Sequence, residues 1–192
     1  MTRFWWVRHA PTHRKDLVGW SDVPADLSDQ EALDRLSQNL PDAPVLSSDL
    51  LRCRQTAGAI IGKRTDMGST ADLRELHFGE WESRTPAELA ETHPDLSERF
   101  WSDPGDVALP GGESWNAMSH RVHQRVNDLC AHHKDGDLII VAHFGVILSQ
   151  LQRATGMAAT SVLSFRIDNL SVTRIDHLGG VDWAVAGVNQ KL

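Results

Sequence analysis

The stretch 138-LIIVAHFGVILSQLQRAT-155 decides the fold. Its first five residues are apolar without alternation. A strand there is buried on both faces, as in a parallel sheet covered by helices. The run stops at His143, and a helix is expected from about Gly145 to Ala154. Two other runs, 4-FWWV-7 and 43-APVL-46, also lack alternation and read as buried strands. By contrast, 170-LSVTRI-175 and 181-VDWAVAGV-188 alternate and flank the turn signal His177-Leu178-Gly179-Gly180. They read as a hairpin, or as two successive strands nearer an edge.

Helical segments lie between the strands. Ser28 is the expected cap of a helix reaching Asn39, which Pro41 stops. Ser48 or Asp49 can cap a helix from Leu50 to about Ile61. The segment Thr85 to Arg99 carries Pro86 in its first turn and is broken at Pro94. Apolar residues at 115, 118, 122, 126, 129 and 130 form a stripe that predicts a helix to about His133. This order implies a single α/β domain over residues 1–192, with a mostly parallel central sheet and helices on both faces. A helical insertion is expected over about residues 83–135.

The totals limit what the chain can do. With 192 residues, 41% apolar and 23% charged, it can bury one core and is too short for two comfortable domains. A formal charge of −7 argues against nucleic-acid or anionic-membrane binding and leaves room for a small anionic substrate in a locally basic pocket. No apolar run approaches the roughly 18 residues of a membrane span, and no secretory pattern precedes 4-FWWV-7. The expectation is a soluble protein of the reducing cytoplasm, with Cys53 and Cys130 as free, buried thiols.

The strand ends carry the chemistry. Val7 gives way to Arg8-His9; 43-APVL-46 leads to a helix with Arg52 in its first turn; 138-LIIVA-142 gives way to His143. Ligands of doubly wound sheets bind at the carboxyl ends of strands, beside helix N-termini. Two arginines and two histidines therefore converge there, a set suited to phosphate because guanidinium forks match its oxygens. One imidazole can attack phosphorus while the other donates hydrogen bonds.

Five blocks, in order, resemble the histidine phosphatase superfamily, the phosphoglycerate-mutase-like group. They are Arg8-His9-Ala10-Pro11-Thr12, the segment Ser47 to Ala57, 74-RELHFGEWE-82, 110-PGGES-114 and 141-VAHFGVI-147. The resemblance implies His9 as the nucleophile that becomes phosphohistidine, and Arg8 and Arg52 as the phosphoryl clamp. It implies that His143 completes the pocket and that Glu75 gives a proton to the leaving oxygen. Thr12 and Lys15 join Arg8, Arg52 and His143 as expected substrate contacts. No metal or cofactor is expected, since the arginines already supply positive charge. Glu80, Glu82 and Glu113 are rivals to Glu75, and Glu113 with Ser114 can simply cap the helix at Trp115.

Some positions depart from the family's usual pattern: Ala10-Pro11 after the catalytic histidine, Lys15, Ser83 and Phe144. Phe144 either narrows the pocket or packs against the sheet. The expected activity is metal-independent hydrolysis of a small phosphate monoester on a phosphorylated metabolite. Broad-specificity and α-ribazole phosphatases are the similar branches. A phosphatase is favoured over a mutase because the chain stops soon after its last strand. The alternatives are an α-ribazole-5′-phosphate phosphatase of cobalamin synthesis, a phosphoglycerate mutase, and a non-catalytic phosphate-binding module.

Overall fold

The computed structural model describes residues 1–133 and 135–192. Its central strands are β1, Thr2–Arg8, and β4, Gly136–Ala142. They pair in parallel, with Arg8 opposite Ala142. Residues 138–142 are all fully buried, as an unalternating apolar run requires. On one side of this pair β2, Val45–Ser48, runs parallel to β4. On the other, β5, Val172–Gly179, and β6, Asp182–Gln190, form the expected antiparallel hairpin, with β5 also antiparallel to β1.

One strand escaped the sequence reading. β3, Asp66–Thr70, pairs in parallel with β2 and closes the sheet order β3-β2-β4-β1-β5-β6. Its sequence, DMGST, is exposed at four of five positions. An exposed edge strand needs no apolar face, so it leaves no hydrophobic pattern to read.

Helices cover both faces. Val45, Ile139, Val141 and Val172 pack on α1, Gln30–Asn39, and α2, Leu51–Ile60. Phe4, Trp6, Leu138 and Ile140 pack on the opposite side with α5, Trp115–His132, and α6, Phe144–Thr155. Between β3 and β4 lie α3, Pro86–Thr92, and α4, Pro94–Ser102, ahead of α5. Thr85 and Glu88 form a reciprocal capping box on α3, and Pro94 opens α4. A single turn, α7, Ala159–Val162, follows α6.

Two expected caps are corrected. Asp29, not Ser28, caps α1 by accepting from the Ala32 N–H. Neither Ser48 nor Asp49 caps α2, whose cap residue Leu50 has no side-chain oxygen. Asp49 instead forms a two-pronged ion pair with Arg74, and Ser48 turns toward His143. Each polar side chain goes to the stronger partner that the tertiary fold brings to it. Of the two cysteines, both free, Cys53 is buried and Cys130 only half-buried. No helix among the described residues is long and apolar enough to cross a membrane.

Candidate active site

Three strand ends do meet. The His9 N–H donates to the Ala142 carbonyl across the ends of β1 and β4, at 3.0 Å. Asn169 donates to the His9 carbonyl at 2.7 Å, and the Ala10 N–H donates to the Thr56 hydroxyl at 2.9 Å. The backbone around His9 is thus held from β4, α2 and the segment before β5.

The His9 ring is in a defined tautomer. Its Nδ1 lies 2.7 Å from the Ala10 carbonyl, which can only accept, so Nδ1 carries the proton. Nε2 is left with its lone pair. Burial, then the Arg52 charge, holds His9 down to about 3, despite the Ala10 hydrogen bond acting the other way. The ring is therefore neutral at ordinary pH and able to act as a nucleophile.

Arg52 is 1% exposed and has no carboxylate partner among the described residues. Its donors go to His143 Nδ1 at 3.2 Å, the Ser21 carbonyl at 3.0 Å and the Gly19 carbonyl at 2.7 Å. A guanidinium does not deprotonate in proteins, so its charge persists at this depth. Arg8 donates to the Ile167 carbonyl at 2.6 Å and lies 5.4 Å over the Phe144 ring, while its buried Nε has no hydrogen-bond partner. Burial lowers both guanidinium pKa values, and the charge of Glu75 opposes that in each. Arg52, buried, and Arg8, half-buried, place two positive charges with no ion-pair partner among the described residues, a setting suited to an anion.

His143 is fully buried, with its ring edge-on to His9 at 5.2 Å between centroids. Because Nδ1 accepts from Arg52, Nε2 carries the proton and donates to the Ser48 hydroxyl at 2.9 Å. Burial, then Arg52, pushes its pKa well below the usual value. Cys53 Sγ lies 3.4 Å from Nε2, and burial pushes that thiol up, so it stays protonated.

Glu75 is 8% exposed and accepts from the Leu76 and Gly145 N–H groups at 2.9 and 3.0 Å. A Cβ on Gly145 would stand 2.5 Å from its Oε1, so glycine is required for this approach. The rival glutamates have other work. Glu113 accepts from the His77 N–H and from Arg121. Glu80 is exposed. Glu82 accepts from the N–H groups of Gly19, Trp20, Ser21 and Phe78 and from the Ser21 hydroxyl. It thereby shapes the loop whose carbonyls hold Arg52. We expect Glu82→Ala to lose about 2–3 kcal/mol in urea unfolding, with a raised KM as Arg52 loosens.

Thr12 and Lys15 have no hydrogen bond or ion pair to a described residue. Lys15 is exposed, on the segment leaving the pocket. Trp81 is fully buried in the core. Three participants were not foreseen in their roles. In the sequence Ser48 is one of two possible caps, Glu82 a rival to Glu75, and Asn169 carries no signal at all.

Two buried neutral imidazoles make folding acid-sensitive. Between pH about 6.5 and about 3 the unfolded chain takes up protons that folded His9 does not. Stability therefore rises with pH across that window, by up to about 1.4 kcal/mol per unit for each histidine. Urea midpoints should already fall between pH about 6.5 and 5, above the carboxylate range. His9→Asn should reduce the slope; a flat profile would contradict buried neutral rings.

Known proteins share this chain's pattern. The profile of the histidine phosphatase superfamily (branch 1) matches residues 4–191. An adenosylcobalamin/alpha-ribazole phosphatase of Salmonella typhimurium is 31% identical over 187 residues, covering 93% of this chain and 92% of that one. The phosphoglycerate mutase-like protein 4 of Arabidopsis thaliana is 32% identical over 191 residues, covering 93% and 81%. The solved structure of Bacillus stearothermophilus YhfR superposes with a TM-score of 0.88 at 24% identity, covering 98% and 97%, a likeness of fold.

Proposed function

Since the chain belongs to the histidine phosphatase superfamily, branch 1, we propose that it hydrolyses a small phosphate monoester through a phosphohistidine at His9, without a metal. The observation that carries this reading is His9 itself: buried, neutral, with Nδ1 tied to Ala10 and Nε2 free beside two guanidiniums.

Nε2 attacks phosphorus, and the bond to the leaving oxygen breaks. The Glu75 carboxyl gives that oxygen its proton. Water then attacks the phosphohistidine, returns a proton to Glu75, and the N–P bond breaks to release phosphate. Arg8 and Arg52 hold the equatorial oxygens, where fixed positive charge lowers the barrier most. That charge fills the place a metal ion would take. His143 aligns Arg52 through Nδ1 and walls the nucleophile; it reaches a phosphoryl oxygen only by exchanging Ser48 for it. Thr12 and Lys15 contact the substrate once it is bound. Unpaired Cys53 and Cys130 suit a reducing cytoplasm.

The test is phosphate release from p-nitrophenyl phosphate with and without a chelator, together with trapping of an acid-labile phosphoenzyme. Release blocked by chelation contradicts the metal-free mechanism. No release and no trapped phosphate from any reactive monoester leaves only an anion-binding module. The name of the Salmonella relative favours α-ribazole 5′-phosphate as one substrate to include. A mutase would convert 3-phosphoglycerate to 2-phosphoglycerate without net phosphate release.

A further inference from the structure

A cavity of about 240 Å³ opens beside Glu75. Its walls include Leu17, Phe78, Trp101, Trp115, Phe144 and Leu163. Glu75 is the one ionisable residue among its lining residues. The ring N–H of Trp115 is spent on Gln152, at 2.7 Å, so it offers nothing to a ligand. Phe144 ties the cavity to the phosphate site, because Arg8 lies over the same ring. Gly145 does so too, because its N–H holds the Glu75 carboxylate at the wall.

We infer that this cavity is the leaving-group subsite, and that the alcohol it takes is a flat, apolar one, an arene on a short alkyl stem. This assignment rests on the phosphatase reading of the same site. A leaving oxygen within reach of Glu75 points its substituent into the space that Glu75 borders. Protein interiors are close-packed, so an apolar void of this size beside a reactive carboxylate is a place for a ligand. The volume lies below the roughly 300–1,000 Å³ of pockets for drug-sized ligands, which limits the group to one or two fused rings. Aromatic walls favour offset or edge-on contact with such a ring. A sugar, glycerate or amino-acid leaving group would instead bury hydroxyl or charged groups against carbon. Each unpaired group costs roughly tenfold or more in kcat/KM. Trp101 is 41% exposed and stands where the alcohol can leave.

The test compares two monoesters of primary alcohols, 2-(1-naphthyl)ethyl phosphate and glycerol 1-phosphate, whose leaving oxygens make similar demands on the acid. We expect kcat/KM to favour the naphthyl ester by about 100-fold. Trp101→Ala and Leu163→Gln should each cut that preference about tenfold. A ratio near one, or one favouring glycerol phosphate, overturns the subsite while the phosphatase reading stands. If neither ester releases phosphate and no phosphoenzyme forms, the phosphatase reading fails, and binding decides the subsite. Calorimetry with 2-(1-naphthyl)ethylphosphonate and methylphosphonate then reads it: tighter binding of the naphthyl compound supports the subsite, and equal binding overturns it.

Discussion

His9→Ala should leave no measurable turnover, a loss of about 10⁴-fold or more, because no second nucleophile stands in its place. His143 is the nearest candidate, but its Nδ1 accepts from Arg52 and its Nε2 proton is held by Ser48. Cys53 lies against the same ring, yet burial keeps its thiol protonated. The loss should be specific to chemistry. Arg8 and Arg52 remain, so inorganic phosphate should still protect the variant from thermal unfolding. With wild type, rapid acid-free quenching in the presence of labelled p-nitrophenyl phosphate should trap one phosphoryl group per chain. With His9→Ala it should trap none. Hydrolysis within tenfold of wild type would remove His9 from the mechanism. Loss of phosphate protection along with activity would instead mean that the ring is needed to keep the two guanidiniums in place.

The parts of this site that were legible in the sequence are those where a strand ends. Burial forces an apolar run, and a polar residue at its end stands out against it; this is why Arg8, His9 and His143 could be read directly. Arg52 stands out less, because a first-turn arginine looks like any solvated one; the flanking block Ser47 to Ala57 sets it apart. What surrounds Arg52 was not legible. Its partners are the carbonyls of Gly19 and Ser21, and a carbonyl belongs to every residue type. The cavity was equally hidden. Leu17, Phe78, Trp101, Trp115 and Leu163 come from five separate segments, so no spacing relates them. Phe144, which in the sequence can either narrow the pocket or pack against the sheet, lines the cavity and carries Arg8 as well. On the fold side, the buried strands and the hairpin followed from their patterns, whereas β3 has no pattern because solvent faces most of it.

Glu75→Gln should separate the two half-reactions that Glu75 serves. The substitution keeps the side chain's size, and the tight approach of Gly145 keeps it in place. It removes the proton that an alkyl leaving group requires, so kcat/KM for an alkyl monoester should fall by about 10²–10⁴-fold. Nitrophenolate departs without needing that proton, so phosphorylation of His9 by p-nitrophenyl phosphate should slow far less. Hydrolysis of the phosphohistidine still needs a base for water. The variant should therefore release one equivalent of nitrophenolate in a burst, then turn over slowly, with phosphohistidine accumulating during the slow phase. Glu82→Ala and Glu113→Gln should show no burst, since those carboxylates hold backbone N–H groups and Arg121 and do not border the cavity. If Glu75→Gln slows both esters equally and gives no burst, Glu75 is a structural acceptor for the start of α6, and the proton comes from elsewhere. A burst that appears with Glu82→Ala instead would move the acid to the loop beneath Arg52.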